Sequence, residues 1–361
     1  MDKNNFCVIM AGGIGSRFWP LSKTSKPKQF LDILGTGKTL LRQTFDRFTT
    51  ICPVSNVYIV TSEEYFILVK EQLPELSGEQ ILLEPQRRNT APCIAYANYK
   101  ILQKNKAANI VVAPSDHLIM HEEEFIRIIE KGLKFTSEND ALLTLGIKPS
   151  RPETGYGYIQ KKDEDTKYDG ISKVKTFTEK PDIEMAKVFF KSGEFFWNSG
   201  IFIWSLNSIM KNFKKHLPDV NELFDKGSLI YGSKEERKFI HTTYSNCRNI
   251  SIDYGVMEKA NNVFVLTADF GWSDLGTWGS LYEHSDKDEN NNAMIGKNIL
   301  SYESENCIVN VSGDKLVVIQ GLKDYIVVES DNNILIIRKQ DEQKIKDIVA
   351  DLKDVNGGGY L

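Results

Sequence analysis

At 361 residues the chain exceeds one minimal core, and its length points to one large domain with a smaller one, or two of similar size. Apolar residues make up 41% and charged residues 26%, which excludes a disordered or fibrous class. A formal net charge of -4 supplies no electrostatic reason for a nucleic-acid partner, so basic clusters are read locally. No apolar run approaches the roughly 18 residues of a spanning helix. The start "MDKNNFCVIMAGG" runs into glycines and charge instead of a small-residue cleavage site, so a cytoplasmic chain with no membrane partner is expected. Cys7, Cys52, Cys93, Cys247 and Cys307 are odd in number, scattered and never spaced C-x-x-C. They read as reduced thiols, with neither a disulfide frame nor a zinc site.

From Phe6 to about Asp269, short β-branched runs alternate with longer amphipathic ones: "CVIM", "TLLRQTFDRF", "NVYIVTS", "ILLEP", "TAPCIAYANYKILQ", "NIVVAPSDH", "EEFIRIIEKGLKF" and "ALLTLGI". This is the pattern of βαβ units, and it predicts an α/β fold with a doubly wound, mostly parallel sheet. "NIVVAP" and "ALLTLGI" lack a polar face, as strands covered by helices on both sides should. After Pro92, Ile94, Ala97, Ile101 and Leu102 approximate helical spacing, with Thr90 near the N-cap. Beyond Gly155 the pattern becomes irregular; "GYGYIQ", "VKTFTEKP" and "WNSGIFIWS" read as strands or loops shaping a second half-site. The polar stretch "EHSDKDENNNAM", residues 283–294, is the expected linker. Then "CIVNVS", "LVVIQG", "DYIVVES" and "NILIIRK" read as brief strands, followed by a helix over "DEQKIKDIVADLK". The expected division is a catalytic domain over 1–285 and a small β domain with a closing helix over 286–361, with the tail "NGGGYL" mobile.

The first strand ends in "AGGIGSR", where Gly12, Gly13 and Gly15 let backbone N–H groups approach a phosphate without an intervening Cβ, with Ala11 before them as a further nucleotide-binding candidate. A tight turn of no consequence is the plain alternative. Arg17, Lys26 and Lys28 in the same connection favour the anion site, because open α/β sheets bind ligands at this edge of their strands. The spacing does not match the dinucleotide fingerprint, which disfavours a dehydrogenase. "DILGTGKT" falls short of a P-loop, since Asp32 stands where that pattern needs glycine, and it reads as a turn into a helix with Thr39 near the cap.

"AGGIGSRFWPLS" with "KPKQF" resembles the signature of sugar-nucleotide pyrophosphorylases, and "KQF" resembles the mannose-1-phosphate guanylyltransferases in particular. Further matches follow in family order: "EPQRRNTAP" at 84–92, "APSDH" at 113–117, "GYGYI" at 155–159, "FTEKP" at 177–181, "WNSGIF" at 197–202 and "GWSDLGTW" at 271–278. The resemblance spans about residues 6–340. It implies a Rossmann-like nucleotidyltransferase fold with a β-helix-like C-terminal domain. Bifunctional members carry an additional isomerase domain, and this length leaves no room for one, so that activity is expected to be absent.

The resemblance implies that GTP and mannose 1-phosphate give GDP-mannose and pyrophosphate, the sugar phosphate attacking the α-phosphorus in line. Two polyanions must then meet, and like unit charges near 4 Å repel by about 4 kcal/mol at an effective dielectric of 20. Arg17 and Lys28 are expected to offset this at the triphosphate and Lys180 at the sugar phosphate. Magnesium is the implied cofactor, held by Asp116 and Asp274. Asp116 has a structural alternative as N-cap of the helix near "HEEEF". His117 is left out of catalysis, because the attacking phosphate is already ionised. Trp197, Phe202, Trp204, Trp272 and Trp278 read as core or pocket walls. Asn89 and Thr90 match the segment that meets the base, with Asn89 also suited to cap a helix. Gly155, Glu179, Asn198 and Asp274 match positions lining the hexose. The identity of the sugar rests on the resemblance alone. Two rivals stand beside this reading: the same chemistry on another nucleotide and sugar pair, and a non-catalytic nucleotide-sugar sensor. A homodimer through the β domain is expected, since short strands leave edges to cover.

Overall fold

The computed structural model describes residues 2–162, 167–352 and 359–361. The chain divides into two compact units, one of Met1–Gly12, Thr44–Ser115 and Ile119–Trp272, the other of Gly13–Gln43, Asp116–Leu118 and Ser273–Leu361.

In the first unit, strands β1 (Asn5–Met10), β2 (Val57–Ser62), β3 (Ile81–Glu84), β4 (Asn109–Pro114), β5 (Leu142–Ile147), β6 (Tyr158–Lys161), β7 (Ile171–Thr178), β8 (Phe195–Ser205) and β9 (Val263–Ala268) form one sheet in the order β3-β2-β1-β4-β8-β5-β9-β7-β6. Pairings from β3 to β4 are parallel, in register Ile9 beside Ile59 and Ala113. Strand β8 then runs antiparallel to both β4 and β5, while β9 is parallel to β5. Strands β6 and β7, from the irregular stretch after Gly155, pair antiparallel with each other.

Helices α1 (Thr90–Lys104), α2 (Glu122–Glu138), α3 (Ile183–Ser192), α4 (Leu206–His216), α5 (Pro218–Asp225) and α6 (Glu236–Asn246) belong to this unit. The N-cap of α1 is Asn89, whose side-chain oxygen accepts from the Thr90 N–H at 2.9 Å. Thr90 is the first helical residue, and its hydroxyl accepts from the Ile252 N–H at 2.9 Å. Helix α1 has buried residues all along its length because it lies between the sheet, through Val8, Val60 and Val112, and α4 and α5, through Phe213 and Phe224. The five tryptophan and phenylalanine side chains expected as walls are all buried. All five cysteines are buried, with none joined to another.

The second unit contains β10 (Ala293–Ile295), β11 (Ile299–Tyr302), β12 (Ile308–Val311), β13 (Val317–Gln320), β14 (Tyr325–Ser330), β15 (Asn333–Arg338), and helices α7 (Trp278–His284) and α8 (Ile345–Asp351). Strands β10, β12 and β14 stack in parallel, Ala293 beside Ile308 and Ile308 beside Ile326. Strands β11 and β13 stack in parallel as a second wall, Ile299 beside Val317. The chain thus alternates between two walls as it climbs, a β-helix whose interior holds Cys307, Val309, Val311, Ile319 and Val327. Strand β15 returns antiparallel to β14. On the outer face of the first wall, Ile308, Ile326, Val328 and Leu335 pack with Phe18, Trp19, Leu31 and Ile33. The segment following the glycines is therefore part of this unit's core, reinforced by the Trp19 Nε1–H donating to the Tyr360 carbonyl at 2.9 Å.

The polar stretch expected as a linker is ordered by its own side chains. The Asp288 carboxylate accepts from the N–H groups of Asn290 and Asn292 at 2.9 and 2.8 Å, and Ala293 already begins β10. In the expected mobile tail, residues 356–358 lie outside the described residues.

Candidate active site

Strand β1 delivers the chain to the glycines, and the division between the units falls between Gly12 and Gly13. Three side-chain and backbone donors hold the turn beyond: Gln29 Nε2–H to the Gly13 carbonyl at 2.9 Å, and the Ser22 hydroxyl and Lys28 N–H to the Ile14 carbonyl at 2.6 and 3.2 Å. Gly15 sits at φ 72°, and a Cβ there would lie 2.5 Å from Lys28 Cβ, so both conformation and contact require glycine. Arg17 follows on a short 3-10 turn, Ser16–Phe18. Its buried Nε has no hydrogen-bond partner among the described residues.

Lys28 is only 3% exposed. Its Nζ meets Asp116 Oδ2 at 2.9 Å and donates to the Asp274 and Leu275 carbonyls at 2.7 and 3.0 Å. An ammonium has three donors, so all are engaged. Burial alone would raise the Asp116 carboxyl, but Lys28, with His117 beside it, holds it below the usual aspartate range. Asp116 is not a helix cap: α2 begins after His121. Asp274 Oδ1 accepts from the Gly276 N–H at 2.8 Å. Gly15, Arg17, Lys28, Asp116, Asp274 and Lys346 line one cavity of about 280 Å³. That is just below the roughly 300–1,000 Å³ of sites enclosing a whole small molecule, so the cavity can take part of a ligand.

Within the first unit, the Ala11 N–H donates to the Val60 carbonyl at 2.8 Å and its carbonyl accepts from the Thr61 hydroxyl at 2.8 Å, so the Ala11 amide is spent inside the fold and not offered to a phosphate. A Cβ at Gly12 would lie 3.4 Å from Glu84 Oε2. Glu84 ends β3, is buried, and accepts from the Tyr244 hydroxyl at 3.0 Å through Oε1. Burial pushes its carboxyl up to about 7 against the pull of Tyr244 and Arg87. The arginines of "RRNTAP" are engaged elsewhere, Arg87 with Glu64 and Tyr65 and Arg88 with the Tyr244 carbonyl. Asn89 has φ 68° and ψ -172°, a conformation costly for a residue with a side chain.

The residues expected at the hexose also belong to the first unit, except Asp274. Lys180 is exposed and pairs with Glu179 Oε1 at 2.5 Å. Asn198 donates from Nδ2 to Asp253 Oδ1 at 2.9 Å and accepts at Oδ1 from the Thr144 hydroxyl at 3.1 Å. Burial, with the Glu179 charge adding to it, pushes the Asp253 carboxyl up to about 6. Gly155 donates its N–H to Glu153 Oε1 at 3.0 Å. The glycine against Glu179 is Gly157: a Cβ there would lie 2.5 Å from Glu179 Oε2, and its carbonyl accepts from the Asn198 N–H at 2.8 Å. Glu84, Gln29 and Asp253 escaped the sequence reading. The first two stand inside the quoted motifs "EPQRRNTAP" and "KPKQF", so a residue-by-residue reading of those motifs finds them. Asp253 carries no local signal.

"DILGTGKT" makes no anion cradle. The Asp32 carboxylate accepts from the Thr36 and Gly37 N–H groups at 2.9 and 2.6 Å, and Thr39 Oγ1 accepts from the Arg42 N–H at 3.2 Å. Among the described residues there is no group of three or more His, Cys, Asp or Glu side chains placed to hold a metal ion, and no helix is long and apolar enough to cross a membrane.

Residues 6–291 match the family model described as nucleotidyl transferase, and residues 297–352 match one described as the MannoseP isomerase/GMP-like beta-helix domain. The chain is 39% identical over 356 residues to a mannose-1-phosphate guanylyltransferase of Salmonella montevideo, covering 96% of this chain and 73% of that one. It is 36% identical over 351 residues to the alginate biosynthesis protein AlgA of Pseudomonas aeruginosa, covering 96% and 71%. A solved structure from Thermus thermophilus, described as a mannose-1-phosphate geranyltransferase, superposes with a TM-score of 0.87 at 29% identity, covering 97% of this chain and 99% of that one.

Proposed function

This chain belongs to the mannose-1-phosphate guanylyltransferases of the nucleotidyl transferase family, and on that premise we propose that it makes GDP-mannose and pyrophosphate from GTP and α-D-mannose 1-phosphate. The observation that carries the reading is the cavity in which Arg17, Lys28, Asp116 and Asp274 converge beside the Gly15 turn. An oxygen of the sugar phosphate bonds to the α-phosphorus as the bond to the bridging oxygen breaks, and the electron pair leaves with pyrophosphate. The nucleophile is ionised from the start, so no side chain need remove a proton.

Arg17 offers to the triphosphate its Nε, which has no partner among the described residues, and the Gly13 and Gly15 turn brings backbone donors to it. Lys28 adds positive charge while fixing Asp116 and the 274–275 carbonyls. Asp116 and Asp274 are hard oxygen donors in one cavity, which fits magnesium, an ion that takes one or two carboxylates and completes its shell with phosphate oxygens and water. When bound, the ion would neutralise charge developing on the phosphates. Lys180 exchanges Glu179 for the sugar phosphate, freeing the carboxylate for hexose hydroxyls alongside Asn198.

Base choice falls to Glu84, with Asn89 and Thr90 shaping the segment beside it. An ionised carboxylate accepts from the N1–H and exocyclic N–H of guanine, donors that adenine does not present in that pattern. Glu84→Gln should narrow the preference for GTP over ATP by roughly tenfold or more, and an unchanged preference removes Glu84 from base reading. The whole proposal is tested by pyrophosphate release with GTP, mannose 1-phosphate and Mg²⁺, beside ATP, UTP, dTTP and glucose 1-phosphate. Release requiring both GTP and mannose 1-phosphate is expected. Release with another pair overturns the specificity, and none with any pair, despite GDP-mannose binding, overturns the activity in favour of a sensor.

A catalytic domain over 1–285, a β domain over 286–361 and a cytoplasmic location complete the proposal. So does a homodimer: Leu316, Val318, Ile334 and Ile336 expose 55–68% of their surface on the β domain. A dimeric mass by light scattering should fall to monomer in Ile334→Asp/Ile336→Asp, and a monomeric parent protein sinks the idea.

A further inference from the structure

The cavity beside the Gly15 turn is lined by a cation from the far end of the chain. Lys346 stands on α8, and it shares the cavity with Arg17, Lys28, Asp116 and Asp274. Its placement is built rather than incidental. Ile345 is fully buried, and with Val349 and Leu352 it packs into the core that also holds Phe18 and Trp19, the residues after Arg17. Helix α8 therefore lies against the same turn that presents Arg17, and Lys346, next in sequence to the buried Ile345, faces the cavity.

Charge balance gives this lysine a task. The cavity is lined by the cations Arg17, Lys28 and Lys346, by His117, and by two carboxylates, Asp116 and Asp274. Lys28 already commits its three donors to Asp116 Oδ2 and the carbonyls of Asp274 and Leu275. It can contribute field to a phosphate chain, but a direct hydrogen bond would require giving up one of those partners. Direct donors for a triphosphate carrying three to four negative charges then come from Arg17 and the N–H groups of the Gly13 and Gly15 turn, and a further cation on the same cavity wall adds to them.

We propose that Lys346 is a phosphate-binding residue of the nucleotide site, donating to the triphosphate of the incoming nucleotide and to the departing pyrophosphate. The proposal rests on the nucleotidyltransferase reading of this cavity and extends it to the β-helix end of the chain. Being a long side chain on a seven-residue helix, Lys346 acts as a point charge on a flexible stem, suited to following phosphates as they separate.

The test compares Lys346→Gln and Lys346→Arg with Lys344→Gln, which removes the same charge two residues earlier from a side chain that is 69% exposed and paired with Asp341. Affinity for GTP with Mg²⁺ is measured by calorimetry on the full chain, which requires no turnover, and KM for each substrate is measured by pyrophosphate release. Lys346→Gln should weaken GTP binding and raise its KM by roughly tenfold to a hundredfold. KM for mannose 1-phosphate and the thermal midpoint should stay put, Lys346→Arg should recover most of the loss, and Lys344→Gln should match the parent protein. Unchanged GTP affinity in Lys346→Gln, or an equal loss in Lys344→Gln, overturns the proposal. A parent protein that binds GTP but releases no pyrophosphate overturns the activity alone, and calorimetry still decides Lys346.

Discussion

Lys28 and Lys180 read alike in the sequence, each a lysine in a motif and each assigned to a phosphate, yet they sit in opposite environments. Lys28 is 3% exposed and surrounded by a carboxylate and two carbonyls. Lys180 has a side chain 61% exposed and is paired with the Glu179 carboxylate. The lysine end of this pair is in water although the Glu179 side chain is only 11% exposed, so Lys180 can exchange Glu179 for a phosphate once hexose hydroxyls take its place on the carboxylate. Lys28 cannot release its partners so easily, because each would be left desolvated. A cation that shapes a site and a cation that grips a ligand are thus told apart by burial and by the partners they hold, not by motif.

Removing each lysine should separate the two roles. Lys28→Ala should lower turnover by about 10²–10³ and cost about 3 kcal/mol, as Asp116 and two carbonyls lose their common partner. Pyrophosphate release and urea denaturation on one sample check both, and an unchanged stability would break the contrast. Lys180→Ala should raise KM for mannose 1-phosphate roughly tenfold to a hundredfold while the denaturation midpoint stays within about 0.5 kcal/mol of the parent protein.

Gly15→Ala probes the Lys28 side from the backbone. The left-handed conformation alone costs about 1–2 kcal/mol, and the 2.5 Å approach to Lys28 Cβ adds to it. A variant as stable as the parent protein would show that the turn relaxes freely. The smallest effect comes from the anions. Asp116 is held low by its lysine, whereas Glu84, without one, rises from 4.5 to about 7. A carboxyl raised in the fold binds its proton more tightly folded than unfolded. Its stabilisation is fully present below 4.5 and is lost as pH rises through about 7. Asp253, raised to about 6, acts in the same direction. Glu84→Gln should therefore flatten, without abolishing, the fall in stability between about pH 5 and pH 8. A slope identical to the parent protein's would remove Glu84 as its source.

Much of the fold was legible because burial writes itself into short runs. "NIVVAP" and "ALLTLGI" are strands buried on both faces, and each of the four expected C-terminal runs contains a strand. Strands β10 and β11 were missed, since the first is three residues long and follows Asp and Asn, and the second is largely exposed. What no local pattern could carry was partnership across the chain. Residues 13–43 share a core with residues 273–361, and nothing in "KPKQF" announces that Lys28 will be sealed by Leu275. In the site, Arg17, Lys28, Asp116 and Asp274 could be assembled from motifs alone, whereas the ion pair of Lys28 with Asp116 could not. Lys346 could not, because a lysine among "KIKDIVADLK" looks like any solvated helix face.

The 246-residue separation between Lys28 and the Asp274 carbonyl has a consequence for the protein's birth. At about 5–20 residues per second, a ribosome needs roughly ten to fifty seconds to supply that acceptor after Lys28 has been made. Through that interval the glycine turn exists without the residues that seal it, and its apolar neighbours Phe18 and Leu31 have no β-helix wall to cover them. Pairings so distant in sequence are also slow to find. The nascent chain should therefore acquire nucleotide affinity late and in one step, and a chaperone bound to the emerging amino-terminal segment would be guarding the part of the enzyme that handles phosphate.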